Sequence, residues 1–110
     1  MRDLFTNSSF VLIISHQGPD GDSIGSSVAL ARYLKKLSVK SHIIFPDPFP
    51  SYYGWLLKEE DFTVASSDSE KLPSLFDMAD LICCLDLLSL INLINVATDH
   101  VIKIQIIGQV

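Results

Sequence analysis

Basic residues are scarce in this 110-residue sequence, and they are scattered along it. Eight lysines and arginines are outnumbered by thirteen aspartates and glutamates, so the formal net charge is −5. Proteins that bind long nucleic acids present clustered positive charge to the phosphate backbone. The composition therefore predicts no broad nucleic-acid surface. A phosphate ligand would have to be bound by metal ions and backbone amides.

The sequence also lacks a long uninterrupted hydrophobic run. Residues 81–97 form the nearest candidate, but Asp86 interrupts them. A helix that spans a membrane needs about 20 predominantly apolar residues. The first seven residues do not have the layout of a signal peptide. We therefore expect no membrane partner and a cytoplasmic location.

There are only two cysteines, Cys83 and Cys84, and they are adjacent within the apolar run 81–85. Successive side chains of a strand point to opposite faces, so these two cannot form an ordinary disulfide without distortion. Cysteine is also among the residues that are most often buried. We predict that both belong to the core and have no metal-binding or redox role.

The order of the predicted elements defines the fold class. With 110 residues, of which 48% are hydrophobic, the chain can form one domain or part of one. Strands alternate with helices, which favours an α/β fold with a Rossmann-like, mostly parallel sheet and helices on both faces. The glycine fingerprint of dinucleotide-binding proteins is absent. The main predicted strands are Phe10–Ile14, Ser41–Phe45, Leu81–Leu85 and Val101–Ile107, with a short strand at 62–64 and a helical turn at 73–78.

The first helix is predicted from an apolar stripe. Ile24, Val28, Ala31 and Leu34 recur at helical spacing, so one face of this helix should be buried. Its first residues are preceded by polar and glycine-rich sequence. We expect the helix to start near Asp22 or Ser23, either of which can cap it.

A polar loop joins the first strand to this helix, and it carries His16, Asp20 and Asp22. Three ionisable side chains in one loop repel or desolvate one another unless a cation or solvent lies between them. Two carboxylates and an imidazole suit a metal such as Mn²⁺, Fe²⁺ or Zn²⁺ better than Ca²⁺. The loop therefore predicts a divalent-metal site. In the alternative interpretation, the aspartates only form a turn and a helix cap, and His16 is exposed.

Asp86 directly follows the apolar run 81–85, so a second predicted strand also ends at a charged residue. In open α/β sheets, ligands bind beyond the carboxyl ends of the strands. If the strand before Asp86 is a neighbour of the first strand, Asp86 will lie near His16, Asp20 and Asp22. This placement favours a shared metal site at that edge of the sheet.

An aromatic segment follows three closely spaced prolines. Tyr52, Tyr53 and Trp55 suggest a short helix. We expect these rings to pack on the sheet, and a surface on which nucleobases stack is the alternative.

Two of these segments resemble the DHH phosphoesterases. Residues 16–30, which read HQGPDGDSIGSSVAL, resemble the first motif of that family, and residues 79–86 resemble the segment that carries the second motif. The form of residues 21–27 is closer to the branch that degrades very short oligoribonucleotides and adenosine 3′,5′-bisphosphate than to the family's pyrophosphatases.

The resemblance implies a hydrolase that uses two metal ions, Mn²⁺ or alternatively Mg²⁺. In this scheme His16 and Asp20 hold one metal, Asp22 holds the second, and Asp86 bridges both. Asp22 and Asp86 would therefore be the residues most directly involved in catalysis. The implied substrate is a small phosphate ester or a short oligonucleotide.

The sequence also departs from the family. The Asp-His-His motif should follow the strand near residues 103–106, but residues 107–110 do not contain it, and Asp99-His100 is only a partial match that precedes the strand. We expect residues 1–110 to be the truncated N-terminal portion of a catalytic domain, without the C-terminal substrate-binding domain. Metal occupancy and hydrolysis by this chain alone should then be weak. The alternative is a non-catalytic α/β module that binds metal or phosphate weakly, or forms a homodimer through its apolar C-terminal face.

Overall fold

The structure, a computed structural model, describes residues 5–84 and the backbone of residues 103–106. Within these residues, five parallel strands form one sheet in the order β3-β2-β1-β4-β5. This confirms the predicted α/β class and its parallel sheet. The strands are β1 (Phe10–Ile14), β2 (Lys40–Phe45), β3 (Phe62–Val64), β4 (Leu81–Cys84) and β5 (Lys103–Ile106).

The order of the strands defines where a ligand can bind. The chain runs outward from β1 through β2 to β3, and then returns to place β4 on the other side of β1. The connections therefore leave β1 and β4 in opposite directions. A crevice opens outside the carboxyl ends of two such strands, and α/β proteins of this kind bind ligands there.

Both ends are described for the α-helices α1 (Gly21–Lys36), α2 (Gly54–Leu57) and α3 (Leu72–Met78). A 3₁₀ turn, Ser51–Tyr53, leads into α2, and another, Ser69–Lys71, leads into α3. The predicted start of α1 was one to two residues late, because Asp20 is the capping residue. Its extended backbone and its side chain both suit an N-cap position.

Helices cover both faces of the sheet, as predicted. On one face, α1 buries the stripe Ile24, Val28, Ala31 and Leu34 against the sheet. On the other face, α3 contributes Leu72, Leu75 and Phe76 to a second apolar cluster. Because β1 is covered on both sides, its residues 11–14 are completely buried. An uninterrupted apolar strand is the expected sequence for that position.

The two cysteines lie in the core, which confirms their predicted burial. Cys83 belongs to the cluster under α1 and Cys84 to the cluster on the opposite face. Burial raises the pKa of the Cys83 thiol to about 12. The thiolate form that reacts with oxidants or binds metals is therefore strongly disfavoured at neutral pH.

Several predictions concern residues outside the described part of the chain. Asp86, the helix expected from 87 to 97, and Asp99-His100 all belong to this group. Among the residues that are described, no helix is long and apolar enough to cross a membrane.

Candidate metal and phosphate site

The polar loop lies at the carboxyl edge of the sheet, beside the crevice between β1 and β4. Ile14, the last residue of β1, pairs with Cys84, the last residue of β4. His16 follows Ile14 by two residues, and Asp86 follows Cys84 by the same interval. The two strands are thus direct neighbours, as the prediction of a shared site required. The side chain of Asp86 itself lies outside the described residues.

Asp20 is the N-cap of α1. Its Oδ1 accepts a hydrogen bond of 3.0 Å from the backbone N–H of Ser23, while the Ser23 hydroxyl accepts one of 3.0 Å from the N–H of Asp20. This reciprocal arrangement is a capping box. The backbone hydrogen bond of the cap is thus made to Oδ1 of the Asp20 carboxylate. Part of the alternative interpretation is correct, since Asp20 does have a structural role.

The cap also influences the ionisation of Asp20. The hydrogen bond from the Ser23 backbone lowers the pKa of this carboxyl, and the nearby His16 contributes in the same direction. The contribution of the ionised cap to stability is complete above the ordinary pKa of 3.8 and is lost as the pH falls through the lowered value. Asp20 is therefore a carboxylate at neutral pH, as a metal ligand must be.

His16 is exposed at the surface of the loop. Its Nδ1 makes a short contact with the backbone carbonyl of Gln17. A carbonyl oxygen can only accept a hydrogen bond, so in a hydrogen bond with it Nδ1 is the donor. Histidines that bind metals commonly donate their other N–H to a backbone carbonyl in this way.

Asp22 lies in the first turn of α1 and is exposed. A carboxylate in that position is stabilised by the positive end of the helix dipole. The chemistry of His16, Asp20 and Asp22 fits a divalent cation. Within residues 5–84, however, no three His, Cys, Asp or Glu side chains are already grouped as a metal would require. Any ligand contributed by Asp86 would come in addition to these three.

A buried pair of serines holds the loop against α1. Ser15 and Ser27 are both fully buried, and their hydroxyl oxygens lie 2.9 Å apart. The Ser27 hydroxyl also lies 2.9 Å from the carbonyl oxygen of Ser23, which can only accept. The consistent arrangement is that Ser15 donates to Ser27 and Ser27 donates to Ser23. The start of the loop is thereby fixed to the first turns of the helix.

Asp47 also helps to position the polar loop, although it was not predicted from the sequence. It follows β2, and its Oδ2 accepts a hydrogen bond of 3.0 Å from the backbone N–H of Gly18. Gly18 has a positive φ of 56°, a conformation that glycine adopts without strain. The bond connects the loops that follow β1 and β2. An acidic residue just after a parallel strand was the same signal that identified Asp86.

The aromatic segment does not behave as predicted. Tyr52 and Trp55 were expected to pack on the sheet, but their exposed fractions are 69% and 73%. Only Leu57 of this short helix is buried, because a helix of four residues presents too narrow a face to cover more. Tyr53 is partly buried and packs against the core. Its hydroxyl lies so close to Gly21 that a Cβ there would be only 2.7 Å away.

Comparison with known proteins identifies the family. Residues 10–107 match the DHH family, N-terminal domain. The chain belongs to the DHH family. The match covers most of the chain and confirms the resemblance seen in the two motifs.

Two individual relatives of this DHH domain are longer than the chain itself. The bifunctional oligoribonuclease and PAP phosphatase NrnA of Thermus thermophilus is 43% identical over 63 residues, which cover 57% of this chain and 18% of that protein. The crystal structure of an exopolyphosphatase-related protein from Bacteroides fragilis is 28% identical, with a TM-score of 0.83. That similarity covers 96% of this chain and 32% of the other. The chain thus spans a minor part of the length of each.

A cavity in the described part of the DHH domain lies elsewhere. It has a volume of about 730 Å³, and its lining includes Phe10, Lys40 and Asp61. These residues mark the amino ends of the strands, opposite the polar loop. His42 also lines it and lies 2.8 Å from the Thr63 hydroxyl through Nε2. Burial lowers the pKa of His42, so this side chain is not a persistent positive charge for a phosphate.

Proposed function

We propose that this DHH domain supplies one side of a phosphoesterase site that hydrolyses short oligoribonucleotides or nucleotide phosphates. His16, Asp20, Asp22 and Asp86 are the proposed ligands for Mn²⁺ or Mg²⁺. The observation that carries the proposal is the pairing of β1 with β4 at the reversal of the strand order. Each of the four proposed ligands thus lies in a segment that follows one of these two neighbouring strands.

When bound, a pair of divalent ions would supply a hydroxide nucleophile and would neutralise the phosphoryl oxygens. The residues of this chain would hold and orient the ions. His16, whose Nδ1 contacts the Gln17 carbonyl, is one proposed ligand. Asp20 is another, and its carboxylate also caps the helix through Oδ1. The cap thereby orients a ligand as well as starting α1.

The choice of substrate rests on the relatives and on charge. The name of the Thermus thermophilus relative describes an oligoribonuclease and a PAP phosphatase. The name of the Bacteroides fragilis protein points instead toward polyphosphate. A net charge of −5 disfavours a long polyanion. We therefore propose a short nucleotide substrate, bound mainly through its metal-coordinated phosphate.

Turnover by the 110-residue chain alone should be slow. With the four proposed ligands, one metal would be held by His16, Asp20 and Asp86, and the other would be held only by Asp22 and Asp86. Loss of even a supporting contact to a metal ligand commonly costs about ten- to a hundredfold in affinity or activity. Metal and phosphate binding therefore test the proposal more directly than turnover does.

Two substitutions of Asp20 separate its structural and metal-binding roles. Asn caps a helix about as well as Asp but has no charge, whereas Ala does not cap. We expect D20N to retain thermal stability and lose most Mn²⁺ affinity, and D20A to lose both. Calorimetric titration with Mn²⁺ and thermal unfolding followed by circular dichroism measure the two effects. Hydrolysis of a diribonucleotide and of adenosine 3′,5′-bisphosphate should be measured with the same proteins.

The matched control is E59Q, which removes one exposed carboxylate near the start of β3, at the opposite edge of the sheet. It should leave Mn²⁺ affinity unchanged. If the original protein binds no Mn²⁺ at millimolar concentration, the metal proposal is wrong. If D20N and E59Q weaken binding equally, the effect is one of net charge, and the non-catalytic interpretation gains support.

A further inference from the structure

Two adjacent aromatic rings, one exposed and one partly buried, lie at the carboxyl edge of the sheet and have no role in the metal site described above. Tyr52 and Tyr53 follow the loop that leaves β2. Their ring centroids are 4.6 Å apart, and the ring planes are inclined by 36°. Tyr52 thus covers part of one face of Tyr53 while remaining 69% exposed itself. An aromatic ring of this size exposed to water is a candidate contact surface.

Tyr53 connects this pair to the polar loop. Its ring contacts the core cluster under α1, and its hydroxyl lies against Gly21, between Asp20 and Asp22 in the sequence. The absence of a side chain at Gly21 makes this approach feasible, because a Cβ would be 2.7 Å from the hydroxyl oxygen. Partial desolvation and the neighbouring Tyr52 raise the pKa of Tyr53, and the carboxylates of Asp20 and Asp22 add to that effect. The pair is therefore held directly beside the proposed phosphate site.

The hydrogen bond between Asp47 and Gly18 strengthens this arrangement. Asp47 belongs to the segment that joins β2 to the aromatic pair, and Gly18 belongs to the polar loop. The bond fixes the two segments to each other at a second point, independent of Tyr53. A ligand that contacts both segments would then meet a largely preformed surface, which lowers the entropic cost of binding.

We propose that Tyr52 and Tyr53 form a stacking subsite for the nucleobase of the substrate whose phosphate is bound at the polar loop. The inference rests on the proposed function and makes it more specific. Stacking on an aromatic ring stabilises a bound base without requiring positive charge. It therefore suits a protein with few basic residues. A base-free polyphosphate would gain nothing from this surface, so the pair favours nucleotides over polyphosphate.

The test compares two ligands that differ only in the base. Adenosine 3′,5′-bisphosphate and the abasic ribose 3,5-bisphosphate are each titrated with the full chain in the presence of Mn²⁺. Calorimetry gives the affinities, and the fluorescence of the single tryptophan, Trp55, gives a second signal two residues from Tyr53. The original protein should bind the adenosine ligand more tightly than the abasic one. Y52L should reduce affinity for the adenosine ligand about five- to 150-fold and leave the abasic ligand unaffected.

Two control variants support the comparison. Y52F keeps the aromatic ring and should retain the preference for the base. Y33L removes another exposed tyrosine, near the opposite end of α1, and should change neither affinity. Circular dichroism spectra that match those of the original protein exclude a folding defect.

The outcomes separate this inference from the proposed function. Equal affinities for the two ligands, or an equal loss of both in Y52L, overturn the stacking subsite while leaving the phosphoesterase proposal intact. A base preference that persists without any Mn²⁺ binding supports the subsite and contradicts the proposed metal site. If neither ligand binds with or without Mn²⁺, both proposals are wrong.

Discussion

Structural roles and proposed chemical roles coincide at single residues of this site. Asp20 caps α1 through Oδ1 and is also a proposed metal ligand. The Nδ1 of His16, another proposed ligand, contacts the backbone carbonyl of Gln17. The structural interpretation of Asp20 and the metal interpretation are therefore compatible. A capping role would have been a sufficient explanation of Asp20, but it does not account for the neighbouring His16 or Asp22.

The buried serine pair gives a prediction at the scale of single residues. S27A leaves the Ser15 hydroxyl buried without its acceptor, which should lower the free energy of unfolding by about 1–3 kcal/mol. S15A should cost less, because Ser27 can still donate to the Ser23 carbonyl. In the double variant neither hydroxyl is present, so its cost should be smaller than the sum of the two single costs. Urea unfolding followed by circular dichroism measures all three.

Ser26 provides the control, since it is the exposed neighbour of Ser27 on the same helix. S26A should change stability by no more than about 0.5 kcal/mol. Equal costs for S15A and S27A, with strict additivity in the double variant, would contradict the hydrogen-bond arrangement described above.

At the scale of elements, the site depends on two loops that are fixed to each other. The loop after β1 carries His16 and Asp20, and the loop after β2 carries Asp47 and leads to the aromatic pair. The Asp47 carboxylate joins them through the Gly18 amide. The carboxyl ends of parallel strands bring such loops to one edge, but a specific hydrogen bond determines how they are arranged there.

Asp47 therefore gives a prediction about the coupling of the two loops. D47A removes the acceptor for the Gly18 amide and should weaken Mn²⁺ binding about ten- to a hundredfold. D47N removes the charge but keeps an acceptor oxygen, so it should bind Mn²⁺ nearly as well as the original protein. Calorimetric titration distinguishes the two variants. A similar loss in both would show that the charge of Asp47 matters, and not the connection between the loops.

At the scale of the whole molecule, β1 is the centre of the fold. It pairs with β2 on one side and β4 on the other, and helices cover both of its faces. The adjacent β4 shares this environment, so all four of its side chains are buried. The crevice at the carboxyl edge thus lies at the ends of β1 and β4, the most completely buried strands of the sheet. These strands should hold the site rigidly.

The reactivity of the two cysteine thiols in β4 shows whether the 110-residue chain maintains this core. Burial and the raised pKa of Cys83 should make both thiols unreactive toward Ellman's reagent at pH 8 until the sheet opens. We expect their labelling to be at least about a thousandfold slower than that of the denatured protein, since a stable domain opens rarely. Colour development after stopped-flow mixing measures the rate.

The variant S67C places a thiol in an exposed turn after β3 and is the reference for accessibility. Its added thiol should react within seconds while Cys83 and Cys84 remain protected. Rapid labelling of all three thiols in the native protein would show that the chain alone does not keep β4 in a closed core.

The sequence alone determined the fold class, the principal strands and the composition of the core. Apolar runs define β1 and β4 as strands buried on both faces, and helical spacing defines the buried stripe of α1. These are properties of short segments, for which hydrophobic burial leaves few alternatives. The motif at residues 16–30 also gave the family, which the match over residues 10–107 confirms.

The tertiary structure decided which distant segments meet. The pairing of β1 with β4 depends on the topology of the whole sheet. The contact of Asp47 with Gly18 depends on the relative positions of the loops that follow β1 and β2. Periodicity could not show that Tyr52 would be exposed, because a 3₁₀ turn of three residues is too short to define a buried face. Local patterns specify the segments of a protein, but the arrangement of a site between segments is set by the packing of the complete fold.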